Sequence, residues 1–93
     1  MITLGEIKTG MARLKDWSLE ENQIVKYVEF KDFEEAMVYV NKVAVIAQKQ
    51  QHHPQIVVDY NKVKITTTTH DEKGLSLKDF DLAEEIDKIK STM

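Results

Sequence analysis

All three histidines of the chain lie in one stretch, "QHHPQIVVDYNKVKITTTTH", residues 51 to 70. Imidazole is the one side chain that ordinarily titrates near neutral pH, so a group of three suits proton transfer first. His52 and His53 precede the only proline, Pro54, which disfavours helical geometry at His53 and places the pair at a bend. Adjacent residues in a bend can point in different directions, so one ring can act on a ligand while the other binds or orients it. His70 reaches the same cleft if its strand end lies beside the end of the helix that precedes His52. Other readings stand beside this one. A lone surface histidine such as His52 is ordinarily just solvated. Three histidines with Asp71 or Asp79 could also ligate a catalytic zinc, although the chain has no H-E-x-x-H pattern and adjacent histidines lack that helical spacing. Asp79 has a structural reading of its own, as the acid of a capping box that starts at Ser76.

Composition narrows the classes. Ninety-three residues make a single domain, 1–93, whose core is modest unless a partner subunit adds to it. With 42% apolar and 31% charged residues, the chain has an ordinary globular composition. No apolar run approaches the roughly 20 residues of a membrane span. The net charge of -3, with 13 basic residues scattered among 16 acids, argues against a nucleic-acid surface. The absence of cysteine excludes disulfides, thiolate catalysis and cysteine zinc sites. The opening "MITLGEIKTG" lacks the pattern of a signal peptide, so a cytoplasmic location is expected.

The elements that must position the histidines follow from periodicity. Leu4, Ile7, Met11 and Leu14 recur at helical spacing. "WSLEENQIVKYVEF" reads as two short strands about a turn at Glu20 to Asn22, with Trp17 anchoring the core. "DFEE", from Asp32, has the form of a capping box, and a long helix follows. Phe33, Ala36, Met37, Val40, Val43, Ala44 and Ala47 form its apolar face, which should cover a sheet. Val38, Tyr39, Val45 and Ile46 add apolar residues on other sides, so a homo-oligomer is expected. "IVVDYNKVKITTTTH" reads as a hairpin turning at Asp59 to Lys62. Val63, Ile65, Thr67 and Thr69 share one face of its second strand, and Lys62, Lys64, Thr66, Thr68 and His70 the other. A last helix is capped by Ser76 with Asp79 at its third position, and Leu82, Ala83, Ile86 and Ile89 face inward. The fold class is therefore α+β: a four-stranded antiparallel sheet with three helices packed on one face, in the order α-β-β-α-β-β-α.

These residues also carry a family pattern. His52, His53 and Pro54 are followed after five residues by Tyr60, after nine more by His70, and after eight more by Asp79. With Trp17, "FKDFEEA", "YNKVKITTTTH" and "GLSLKDFDLA", the chain resembles the pterin-4a-carbinolamine dehydratases over almost its whole length. One position departs: four residues before His52, where the family has an ionisable residue, stands Gln48. On a helix that continues to His52, Gln48 would lie one turn earlier on the same face, within hydrogen-bonding reach of that imidazole.

The resemblance implies dehydration of 4a-hydroxytetrahydropterin to quinonoid dihydropterin and water, in tetrahydropterin recycling, with the pterin as substrate and with no metal or organic cofactor. It implies His52 and His70 as acid and base groups, with His53 mainly binding substrate and assisting. The pterin edge would be read by Gln51, His52, His53, Thr68, Thr69, His70 and Asp71, and Asp79 would orient a histidine as well as cap its helix. The expected partners are a small pterin and further copies of the chain, as a homodimer or homotetramer, and neither nucleic acid nor membrane. The alternatives are a non-catalytic pterin binder or helper in molybdopterin cofactor metabolism, or a protein-dimerisation module.

Overall fold

The computed structural model describes residues 2–89. The elements are α1 (Leu4–Ala12), β1 (Trp17–Glu20), β2 (Gln23–Glu29), α2 (Phe33–Gln50), β3 (Gln55–Asp59), β4 (Lys62–Thr67), a short 3-10 turn (His70–Glu72) and α3 (Leu77–Asp87). The order and the α+β class are those the periodicity predicts. The four strands form one antiparallel sheet in the order β1-β2-β4-β3, so the two hairpins meet along β2 and β4.

Alternation in the strands decides which residues meet the helices. Ile24, Val63, Ile65 and Thr67 are almost wholly buried and share one face of the sheet. Against that face α2 lays Ala36, Tyr39, Val43 and Ala47, and α3 lays Phe80, Leu82, Ala83 and Ile86, all in one core. Tyr27 and Val57 point to the opposite face and are exposed. Packed fourteen-residue cores of this kind gain of the order of 1.5–3 kcal/mol per fully buried aliphatic side chain, before conformational entropy is set against them. Helix α1 packs along α3 through partly buried Ile7 and Met11, and a Cβ on Gly10 would stand 2.5 Å from the Phe80 ring, so this approach requires glycine.

The apolar face of α2 is rotated from the expected one. Tyr39 is buried, its ring 5.0 Å from that of Phe30, whereas Phe33 and Ala44 are exposed. A tyrosine reads as amphipathic in sequence, yet here the ring fills the core. Its hydroxyl has no hydrogen-bond partner among the described residues, and burial, reinforced by the nearby Asp87 charge, pushes the phenol well above its ordinary range. The expected capping box of α2 is half formed: Asp32 accepts from the Glu35 N–H at 2.9 Å, but Glu35 reaches back to the N–H of Lys31 at 3.2 Å. No helix among the described residues is long and apolar enough to cross a membrane.

Candidate active site

Pairing of Gln55 with Thr66 puts the entry to β3 and the exit of β4 at the same end of the sheet. The last turn of α2 runs into that end, and the loop after β4 leads from it to the start of α3. The three histidines lie on these connections, two on the first and one on the second.

Asp79 ties the connections together. Its side chain is fully buried and receives four hydrogen bonds. Oδ1 faces His52 Nε2 at 2.6 Å and accepts from the Thr67 hydroxyl at 2.7 Å. Oδ2 accepts from the Thr69 hydroxyl at 2.8 Å and from the Ser76 N–H at 3.0 Å. The last bond completes the capping box of α3, so one carboxylate both caps a helix and holds a histidine. At the third position of α3 its charge is also favoured by the helix dipole. Four partners meet the hydrogen-bonding needs of a side chain that would be costly to bury without them.

The two adjacent histidines diverge because α2 ends before them. Gln51 takes a left-handed conformation (φ 53°, ψ 40°), and the His52 N–H closes the helix end on the Ala47 carbonyl at 3.1 Å. The helix therefore stops short of Pro54. Beyond that reversal His52 turns toward α3, while His53 Nε2 turns back to Gln48 Oε1 at 3.0 Å. This corrects the expectation that Gln48 meets His52: i to i+4 geometry fails once Gln51 leaves the helix, and the amide finds the next ring. The Gln51 side chain itself donates to the Gln48 carbonyl at 2.7 Å.

His70 is exposed and opens the 3-10 turn, one residue past Thr69. Thr69 therefore fixes the start of the His70 loop to the same carboxylate that holds His52. Thr69 also exchanges backbone hydrogen bonds with Gly74, at 2.9 and 3.3 Å, closing the loop that carries His70 and Asp71. Thr68 donates its hydroxyl to the Asn22 carbonyl at 2.7 Å, binding this loop to the first hairpin. His52 opens on a hollow of about 430 Å³ lined also by Gln50, Lys78, Asp81, Glu84 and Glu85. A larger groove of about 600 Å³ between α1 and α3 contains no histidine.

Thr67, Lys78, Asp81, Glu84 and Glu85 escaped sequence reasoning. For Thr67 there was a signal: two threonines at core-facing positions of one strand need a buried partner. The surface charges gave none. Among the described residues no group of three or more His, Cys, Asp or Glu side chains is placed to hold a metal ion.

The chain matches known proteins over most of its length. A family model described as "Pterin 4 alpha carbinolamine dehydratase" matches residues 2–89. A protein of Trichormus variabilis named "Putative pterin-4-alpha-carbinolamine dehydratase" is 46% identical over 84 residues, covering 90% of each chain. A protein of Sulfolobus acidocaldarius with the same name is 41% identical over 85 residues, 91% of this chain and 93% of that one. A crystal structure from Brucella melitensis, described as a transcriptional coactivator/pterin dehydratase, superposes with a TM-score of 0.86 at 30% identity, over 91% of this chain and 93% of that one.

Proposed function

The chain belongs to the pterin-4a-carbinolamine dehydratase family, and from that premise we propose that it removes water from 4a-hydroxytetrahydropterin to give quinonoid dihydropterin, returning an oxidised cofactor to recycling. In this reaction the C4a–O bond breaks, the adjacent ring nitrogen supplies electrons and loses its proton, and the hydroxyl leaves as water after gaining one. Proton donation and proton removal are the only help required, and each positioned group is worth on the order of 10² to 10⁴ in rate. The pterin is the substrate, and neither a metal nor an organic cofactor enters this chemistry.

The observation that carries the reading is the Asp79 junction, which holds the His52 ring by a 2.6 Å bond and anchors the loop of His70 through Thr69. His52 and His70 act as the acid and base groups, and His53, oriented by Gln48, mainly binds substrate. Thr69 has its N–H, carbonyl and hydroxyl bonded within its own surroundings. Recognition of the pterin edge at this loop therefore falls chiefly to His70, Asp71 and the Thr68 backbone, its hydroxyl being given to Asn22, with the Gln51 side-chain carbonyl contributing from the opposite connection.

Turnover of 4a-hydroxytetrahydropterin generated in place tests the reading. His52→Ala and His70→Ala are each expected to lower kcat by about 10² or more with the fold retained. Wild-type turnover in both variants would remove the acid–base assignment. Pterin binding without acceleration by the unmodified protein would favour a binding or helper role instead.

The chain also works as a homodimer or homotetramer on this reading. Phe33, Val38 and Val45 leave apolar surface exposed on α2, and β1 and β3 present open sheet edges. Sedimentation at micromolar concentration should give a mass above the 10.8 kDa of one chain, and a monomer alone would contradict it.

A further inference from the structure

The hydrogen bonds around Asp79 allow the protons to be assigned one by one. The Ser76 N–H can only donate, and it donates to Oδ2. The Ser76 Oγ accepts from the Lys78 N–H at 3.3 Å and lies 2.7 Å from the Thr69 Oγ1. A hydroxyl has one proton to give. If Thr69 gives its proton to Asp79 Oδ2, then Ser76 gives its own to Thr69, and every atom of this local network has a partner of the right kind. On the other oxygen, Thr67 Oγ1 donates to Oδ1 at 2.7 Å. In its carboxylate form Asp79 is an acceptor toward all four groups and has no proton to offer His52. The proton in the 2.6 Å contact consequently belongs to the imidazole, on Nε2.

We propose that Thr67 is a positioning residue for the dehydration: by sharing Oδ1 with His52 it holds the buried carboxylate as an acceptor, keeps the His52 proton on Nε2, and leaves Nδ1 as the nitrogen that exchanges protons with substrate. The proposal rests on the dehydratase reading for the word "substrate", but not for the proton assignment. Thr67 acts only through Asp79, since its side chain is buried on the core face of β4 and its relative exposure is 1%. Its hydroxyl is polar at a position where an aliphatic residue would serve the core equally well. Without that donor, Oδ1 keeps an unfilled lone pair in a fully buried site, and the Thr69 and Ser76 hydroxyls can reorient toward a carboxylate that now takes up a proton or shifts.

Valine is isosteric with threonine and a good strand former, so Thr67→Val should fold, and Thr67→Ser retains the hydroxyl. Two-bond ¹H–¹⁵N spectra of the unliganded protein at mildly alkaline pH, with His52 identified by loss of its signals in His52→Gln, should show His52 in the Nε2–H form. In Thr67→Val the Nδ1–H form should become populated, kcat should fall about tenfold with KM within about twofold of wild type, and Thr67→Ser should restore both. Finding His52 as the Nδ1–H tautomer in the unmodified protein overturns the proposal, as does a Thr67→Val variant with unchanged His52 signals and unchanged kcat. The spectra need no turnover. A protein with the expected His52 signals that fails to dehydrate the pterin would therefore sink the dehydratase reading and leave the proton assignment standing.

Discussion

Helix α3 carries an aspartate toward each end, and both accept several hydrogen bonds from distant parts of the chain. Asp79, in the first turn, is approached by His52, Thr67, Thr69 and Ser76. Asp87, at the last position, accepts from the Trp17 indole at 2.8 Å, the Lys26 ammonium at 2.8 Å and the Lys15 N–H at 2.9 Å. Both carboxylates fasten the helix to the sheet. The difference lies in what they hold. Lys26 also donates to the Lys15 carbonyl at 2.8 Å and lies 5.8 Å from the centre of the Trp17 ring, so its ammonium is held from several sides. The groups around Asp87 are an indole, an ammonium and a backbone amide, none of a type that ordinarily exchanges a proton near neutral pH, so the cluster braces the fold. The Asp79 cluster includes an imidazole, the side-chain type that ordinarily exchanges a proton near neutral pH, with a second nitrogen not used by the brace. On the proposed dehydratase reading, similar carboxylate clamps become structural or chemical according to a single partner.

The strongest way to break this comparison is to remove the charge at the chemical end. Asp79→Asn should lower kcat by about 10²-fold, because an amide no longer holds His52 as an ionised acceptor does. A kcat within twofold of wild type would show that the clamp is only structural. At the bracing end the outcome should invert. Asp87→Ala leaves a half-enclosed ammonium and an indole N–H without their acceptor and should cost about 2 kcal/mol of stability, with kcat unchanged below the melting transition. Chemical denaturation and turnover measured on the same preparation check both halves. Loss of activity without loss of stability would contradict the division of labour.

A smaller effect sharpens the picture within the chemical end. Gln48 and His53 are both exposed, so a charge at position 48 is partly screened. Gln48→Glu would place a carboxylate beside His53 Nε2 and favour the imidazolium, so any limb of the pH–rate profile governed by His53 should move to higher pH. The limb governed by His52 should stay in place, because His52 points away toward Asp79. Movement of the His52 limb instead would mean that residue 48 acts on the other ring in solution.

Much of this fold was legible because its signals are local. The hairpins, the start of α2 at Asp32 and the capping box of Ser76 and Asp79 each depend on residues only a few positions apart, and each has the expected place. The geometry of the candidate site was not legible in the same way. Three partners of Asp79, His52, Thr67 and Thr69, come from outside α3 and its cap, and no periodicity connects them with it. The partner of Gln48 was misread because one left-handed residue, Gln51, rotates everything after it, and a non-glycine residue gives no notice of that conformation. Tyr39 was placed off the buried face for a different reason: ring size and its packing on Phe30 outweighed a hydroxyl that has no partner among the described residues.

The claim on which the account rests is that Asp79 acts through His52, and a double-mutant cycle measures it directly. Turnover of 4a-hydroxytetrahydropterin would be compared for the wild type, His52→Ala, Asp79→Asn and the double variant, all shown to be folded by near-ultraviolet circular dichroism. If the carboxylate serves the ring, the double variant should be no more than about twofold slower than His52→Ala alone, since nothing remains for Asp79 to position. Full multiplication of the two single effects would contradict the account and make Asp79 and His52 independent contributors.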